Sequence, residues 1–410
     1  MGLPLEGLRV ADFGRYIAGP FCAALLADFG ADVVRIEKRD GREDRTLIAL
    51  ANTSEGQSCE GALFLQMNRN KRSLTLDPSG PAGREIIRRL VARSDVVIAN
   101  LPGQTLKAMG LDYNEVSSVN PRAVLAVISA FGLEGPYADR VGFDGIAQAM
   151  SGAAHFAGTP EQPVRAAAPY VDFGTASLMA FGIMAALKSR EHTGRGQLVE
   201  GALLRTAMTY FGTMLTEEAV LGLDRKPTLN RSQTAAPSDI YRTKDGWVTV
   251  AVNGDPLFRR VAKLIGAPQW LDDPRFADDR LRGDHGAIIG ARVGEWCAQR
   301  TRDEAVAAFE AARVPAGPVY SPREALADPH VRAGDFFSPV DFPGIGRVPI
   351  ASTPVKLHET PGEVRLRPPL LGEHNEEILH ELGYSADEIA SLTREQVVRD
   401  CISEASLRSA

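Results

Sequence analysis

The chain has 410 residues, which at about 150 residues per domain excludes a single small module and leaves two or three domains, or one large domain with an elaboration. Apolar residues make up 44% and charged residues 24%, with 39 Gly and 26 Pro, the proportions of a globular chain with a substantial core and not of a disordered one. Lys plus Arg total 46 against 52 for Asp plus Glu, a formal charge of -6, so no global positive field is available for nucleic acid or an anionic membrane, and neither is an expected partner.

The N-terminal residues 1–7 lack a basic stretch followed by an apolar one, so the chain is expected to begin as folded protein without a secretory signal. Residues 8–13 read as a strand, 14–19 as a turn, 21–29 as an apolar helix stopped at Gly30, and 32–37 as a second buried strand. That is one β-α-β unit of about 30 residues, the start of a Rossmann-like parallel sheet. Strand-like residues 73–76, a helix over 81–93, a strand over 94–99, a helix over 113–118 and a β-rich run over 123–129 continue the alternation, which predicts an α/β fold.

Residues 173–187 are the longest apolar run, short of the ~20 a membrane span needs, and read as a buried core helix; 201–221 reads as another long helix. The polar stretch 224–238 is taken as a linker, followed by a hairpin at 240–242 and 247–252 and helices over 257–265, 290–298 and 302–312: a small α+β domain. Pro-rich residues 321–369 read as irregular, with terminal helices over 375–382 and 386–392. The expected domains are 1–222, 223–320 and 321–410, the outer two building one large body. Cys22, Cys59, Cys297 and Cys401 form no C-x-x-C pair, which argues against a disulfide scaffold or zinc site and fits a reducing cytoplasm.

Several motifs bear on chemistry. Gly14-x-x-x-x-Gly19 follows a strand, but Pro20 and Phe21 stand where a triphosphate loop needs Lys and Ser or Thr, and no G-x-G-x-x-G is present. Glu37 ends the second strand, with Lys38 and Arg39 after it: a solvated turn or a phosphate-facing loop. Residues 68–73, Asn-Arg-Asn-Lys-Arg-Ser, are either solvated surface or a cluster of phosphate donors. Asp172, at the head of the apolar helix, is either its N-cap or a reactive carboxylate in an apolar wall. The seven histidines form no H-E-x-x-H and no G-x-S-x-G elbow occurs, so metal-dependent hydrolysis and serine acyl transfer drop out.

Residues 5–10, 18–20 and 26–37, Asn70-Lys71-Arg72-Ser73-Leu74, Asn100 with Pro102-Gly103, Gly135-Pro136-Tyr137, residues 144–152 and 193–197, Asp245-Gly246 and Leu371-Gly372-Glu373-His374 together resemble the class III coenzyme A transferases, nearly end to end. The resemblance implies a large Rossmann-like domain from both chain ends, a small domain inserted between, and an interlocked homodimer. It implies that Asp172 is the nucleophile of reversible CoA transfer from an acyl-CoA to a carboxylic acid, a small dicarboxylate or related acid, with no permanently bound cofactor. The path runs through an aspartyl anhydride and an aspartyl-CoA thioester, in a site that excludes water and lends backbone donors to the oxyanion.

By the same resemblance, Ile17, Ala18, Lys38, Arg72, Leu76, Asp77, Asn100, Leu101, Pro102, Arg140 and Phe143 belong to the CoA site; Arg15, Arg165 and Arg231 lie near segments expected to face the active site, which points to a polar acceptor. Four departures from formyl-CoA transferase speak against formate or oxalate as substrates: Ile17 replaces a Gln, Ala108 an adenine-side Arg with Lys107 beside it, Phe143-Asp144 a Tyr-Glu pair, and residues 231–242 a glycine-rich loop. The alternatives are an α-methylacyl-CoA racemase, whose histidine falls at Phe143, a residue that carries no proton, and a non-catalytic acyl-CoA-binding protein.

Overall fold

The computed structural model describes residues 2–41, 44–50 and 60–399. In chain order its elements begin β1 Arg9–Asp12, α1 Ala18–Asp28, β2 Asp32–Glu37, α2 Ala62–Met67, β3 Lys71–Thr75, α3 Pro81–Arg93, β4 Val96–Ala99, α4 Gly103–Met109, α5 Tyr113–Val119 and β5 Val124–Ser129. There follow α6 Asp144–Met150, α7 Ala153–Phe156, α8 Tyr170–Thr193, β6 Leu198–Ala202, α9 Leu203–Tyr210 and α10 Gly212–Leu221.

The six strands β1 to β6 form one parallel sheet in the order β3-β2-β1-β4-β5-β6. This is the doubly wound arrangement expected of the repeating strand–helix pattern, and the order reverses between β1 and β4. Alternating residues explain why helices cover both faces. Ala11, Val34, Ile36, Val97, Ala99, Leu125 and Val127 pack on one side with Ile86, Leu90, Ile378 and Leu382. Val10, Val33, Val96, Ile98, Val124 and Ala126 pack on the other with Cys22, Leu26, Val171 and Ile183. Strands apolar on both faces are what a parallel sheet needs, because βαβ crossovers put helices over each. Against the expectation of burial for the apolar run around 173–187, only one face of its helix enters this core, through Ala176, Met179, Ile183 and Leu187, while Leu178, Phe181 and Met184 are exposed; the helix spans Tyr170–Thr193 and is ended by Gly194 at φ 69°.

Two expectations are corrected here. Residues 201–221 are not one helix: β6 occupies Leu198–Ala202, and α9 and α10 follow. Residues 321–369 are not irregular throughout, since they hold two short helices and an antiparallel hairpin, described below.

By internal contacts the chain divides into two compact units, residues 1–151, 166–215 and 335–410 in the first and 152–165 and 216–334 in the second. The second contains β7 Ser238–Arg242, β8 Trp247–Ala251, α11 Asp255–Leu264, α12 Asp279–Asp284, α13 Gly286–Ala298, α14 Arg302–Ala311, β9 Ala316–Pro318, α15 Pro322–Ala327 and α16 Pro329–Ala333. The antiparallel sheet β7-β8-β9 includes the predicted hairpin. Its core is Phe258, Phe276, Val293, Trp296 and Phe309.

In the first unit the returning chain adds the hairpin β10 Phe337–Phe342 and β11 Gly346–Ala351, then α17 Asn375–Glu381 and α18 Ala386–Arg394. It also covers the open edge of β3: Ser73 N donates to His374 Nδ1 at 3.2 Å, His374 N to the Ser73 carbonyl at 3.1 Å, and Thr75 N to Asn375 Oδ1 at 2.8 Å. An edge so occupied cannot recruit a foreign strand.

Candidate active site

The crevice at the reversal of strand order lies beyond the ends of β1 and β4, where doubly wound sheets bind ligands. Residues 13–17 leave β1 there, and Asn100 leaves β4. Asn100 holds the turn by both ends of its amide: Oδ1 accepts from Arg15 N at 2.6 Å and Nδ2 donates to the Arg15 carbonyl at 2.8 Å. The Gly14 and Gly19 pair proves to be a packing device. A Cβ on Gly19 would fall 2.8 Å from Gly14 Cα, so both glycines let the turn fold tightly onto α1. Arg15, in the same turn, donates to the carbonyls of Phe13, Gly14 and Ile36.

Beneath this turn lies a fully buried set of charges. Lys71 Nζ donates to Asp12 Oδ2, the Pro20 carbonyl and Asn68 Oδ1, at 2.8, 2.8 and 2.9 Å. Burial pushes Lys71 down to about 8 despite Asp12. Burial acts to raise Asp12, but Lys71 and Arg35 outweigh it and hold the carboxyl below its usual range. Arg35 reaches the Gly14 carbonyl and Asp44 Oδ2, whose carboxylate also takes Tyr16 N. The turn therefore rests on ion pairs that water does not screen.

Asp172 sits in the first turn of α8, where Pro169 is the residue before the helix. The N-cap role weighed for Asp172 belongs instead to Asp144, in the first turn of α6. Asp144 Oδ2 accepts from Val171 N at 2.8 Å and Asp172 N at 3.1 Å, while Gln148 Nε2 donates to its Oδ1. Among the described residues the Asp172 carboxylate accepts no hydrogen bond, so its lone pairs are not committed to the fold. Burial, and second the negative Asp144, push it up to about 7. The amide of Phe173 is taken by the Pro169 carbonyl. The first-turn amides at 171 to 173 are thus spent within the fold, so backbone donors to an oxyanion would have to come from elsewhere than this turn.

Two ring contacts bring Asp172 to the crevice. Phe173 meets Phe21 of α1 edge-on at 4.9 Å, and Phe143, next to Asp144, meets Tyr16 edge-on at 5.6 Å. The structure thereby gathers Ile17, Ala18, Asn100, Phe143 and Asp172 in one region. Leu101 and Pro102 follow Asn100 into α4. Arg140 lies over the Tyr137 ring at 3.9 Å in the loop between β5 and α6. Lys38 is exposed at the end of β2, with buried Leu76 and half-buried Asp77 after β3.

Arg72 does not join them. Its guanidinium binds Asp32 at the opposite end of β2, and Glu377 and Glu381 of α17, each at 2.7 Å. The whole segment 68–73 is internal wiring: Arg69 pairs with Asp28, Asn70 bonds Asp28 and the Glu363 carbonyl, and Ser73 bonds Glu37. From sequence Asp144 stands only as a departure from the family's Tyr-Glu pair, without a role, and Gln148 is not singled out; the signals available are that family acid and a carboxylate placed to begin a short helix. Arg165 and Arg231 belong to the second unit. Among the described residues no group of His, Cys, Asp or Glu could hold a metal, and Cys59 and Cys401 lie outside them.

Residues 5–375 match the family described as CoA-transferase family III. The chain is 34% identical over 398 residues to a succinyl-CoA–D-citramalate CoA-transferase of Chloroflexus aurantiacus, covering 96% of this chain and 98% of that one. It is 32% identical over 382 residues to a succinate–glutarate CoA-transferase of Agrobacterium fabrum, covering 92% and 96%. A CaiB/BaiF family protein from Brucella suis, known as a crystal structure, superposes with a TM-score of 0.80 at 32% identity, covering 93% of this chain and 100% of that one. Together with the doubly wound sheet, these matches identify the chain as a member of CoA-transferase family III, an enzyme that transfers coenzyme A.

Proposed function

We propose that the enzyme moves CoA from an acyl-CoA such as succinyl-CoA to a small dicarboxylic acid, with Asp172 as the covalent nucleophile. The observation that carries the reading is the Asp172 carboxylate itself: part-buried, without a hydrogen-bond donor among the described residues, and freed from capping by Asp144. A carboxylate stripped of water and donors is the more nucleophilic for it. The relatives that act on succinyl-CoA with citramalate, and on succinate with glutarate, support a dicarboxylate acceptor.

In the first step an Asp172 oxygen attacks the thioester carbonyl, the C–S bond breaks, and CoA leaves as thiolate from an aspartyl mixed anhydride. The thiolate attacks the aspartyl carbonyl and expels the donor as its carboxylate. The acceptor carboxylate then displaces the thiolate from the aspartyl-CoA thioester to form a second anhydride. Attack of the thiolate on the acceptor's acyl carbon releases the new thioester and the free Asp172 carboxylate. Every step exchanges a carboxylate for a thiolate, so no net proton moves and no acid–base histidine is required. Phe143 at the racemase histidine position accords with that.

The same proposal gives Ile17, Ala18, Lys38, Leu76, Asp77, Asn100, Leu101, Pro102, Arg140 and Phe143 to the CoA site. It takes the working form as an interlocked homodimer in the cytoplasm, the large domain built from residues 1–222 and 321–410 around 223–320, with covalent catalysis and no resident cofactor. Incubation with succinyl-CoA and a panel of mono- and dicarboxylic acids, read by mass spectrometry of the CoA esters, tests it. New esters of dicarboxylates are expected; transfer to none of the acids, with loss of deuterium from the α-position of a branched acyl-CoA, would replace transfer by racemisation.

A further inference from the structure

Residues 396–399, which follow α18, cross the outer corner of the crevice and bind both loops that open there. Asp77 N donates to the Val397 carbonyl at 2.8 Å, and Arg399 N donates to Oγ1 of Thr75, the last residue of β3, at 3.0 Å. From the other side Arg39, which follows Lys38 at the end of β2, donates to the carbonyl and side-chain oxygen of Gln396, while the Arg399 guanidinium donates to the Arg39 carbonyl at 3.2 Å. Val398 is buried in the core beside Leu392, and Gln396 takes a left-handed φ of 58°, a conformation a non-glycine residue adopts only when its surroundings hold it. The strap is thus fixed, and it brings Arg399 to the corner already carrying Lys38 and Arg39. The Asp77 carboxylate there is folded onto Ser79 N at 3.0 Å.

We propose that Arg399, reaching in from the C-terminal strap together with Arg39 and Lys38, binds the 3′-phosphate of coenzyme A. The inference rests on the reading above that the ends of β2 and β3 take the carrier's nucleotide. β3 is the edge strand of the sheet, so this corner is the outer end of the crevice, away from Asp172, where the thiol must react. The 3′-phosphate is the charged group of CoA most remote from that thiol, and it is a terminal, doubly charged anion. Guanidinium forks suit such an anion: each has five N–H donors, and the bonds given above for Arg399 and Arg39 leave donors over on both.

Calorimetric titration of the full chain with CoA and with 3′-dephospho-CoA tests this. Arg399→Gln is expected to weaken CoA about tenfold, the factor given by 1.4 kcal/mol, and to leave 3′-dephospho-CoA within about twofold; Arg399→Lys should recover most of the loss. The Arg399 backbone bond to Thr75 survives these changes. Should Arg399→Gln not fold, Arg39→Gln repeats the comparison with the same expected pattern. Equal weakening of the two ligands, or no weakening of CoA, would overturn the proposal. A wild-type chain that binds neither ligand would instead bring down the nucleotide-site reading and the proposal with it, a result set apart by the protein in which it is seen.

Discussion

On the proposed mechanism, Asp144 and Asp172 divide between them two tasks that one aspartate cannot perform together. A carboxylate that caps α8 is committed to amide donors, whereas a nucleophile must keep its lone pairs. Replacing Asp172 by Ala should abolish transfer while CoA binding, measured by titration, stays within about threefold. Because burial and the Asp144 charge lift Asp172 to about 7, kcat/KM should fall about tenfold per pH unit below that value as the nucleophile protonates. Asp144→Asn removes the charge but keeps an oxygen for the amides, so the acid limb should move to lower pH, part of the way because burial is the larger cause. The sign for stability follows from proton counts. Between pH 4 and 7 the folded chain holds a proton on Asp172 that the unfolded chain has lost, so stability falls as pH rises through that window. Asp172→Asn should therefore melt higher than wild type at pH 8 and not at pH 4, by roughly 1–2 kcal/mol after allowing for solvent screening.

At the scale of elements, α8 is held by small residues that admit large neighbours. A Cβ on Gly174 would come within 2.6 Å of Cε2 of Tyr210, whose ring stacks on Tyr170 at 6.4 Å. Gly174→Ala should cost about 1–3 kcal/mol in denaturant unfolding, and Tyr210→Ala in the same chain should return part of it. Such close approaches are not visible in composition. The β1-α1-β2 unit was legible because two apolar strands flank an Ala- and Leu-rich helix, and little else suits that pattern. β6 was not, since Glu200 and Gly201 interrupt its apolar residues. The β10–β11 hairpin was hidden by Pro339 and Pro349, directly paired across it, which an isolated two-stranded ribbon tolerates.

Over the whole molecule, the basic cluster 68–73 shows how charge misleads when partners are far along the chain. Asp28, Asp32, Glu377 and Glu381 neutralise it, and Asn70 also holds the returning chain through the Glu363 carbonyl and the amides of Arg365 and Leu366. The cluster thus fastens the C-terminal segment to the sheet instead of facing a ligand. Arg69→Met leaves Asp28 buried and unpaired and should cost roughly 3–5 kcal/mol, partly recovered by Asp28→Asn in the same chain, as thermal melts would show. Asp172 itself was legible through its resemblance to the family; its freedom from capping was not, because Asp144 lies 28 positions away.

Covalent capture at Asp172 tests the central claim most directly. The enzyme is mixed with succinyl-CoA and no acceptor, quenched with hydroxylamine, digested and sequenced by mass spectrometry. The account predicts an aspartyl hydroxamate at Asp172 in amounts that rise with pH through about 7. A fully active enzyme that carries the label elsewhere, or carries none, would contradict it.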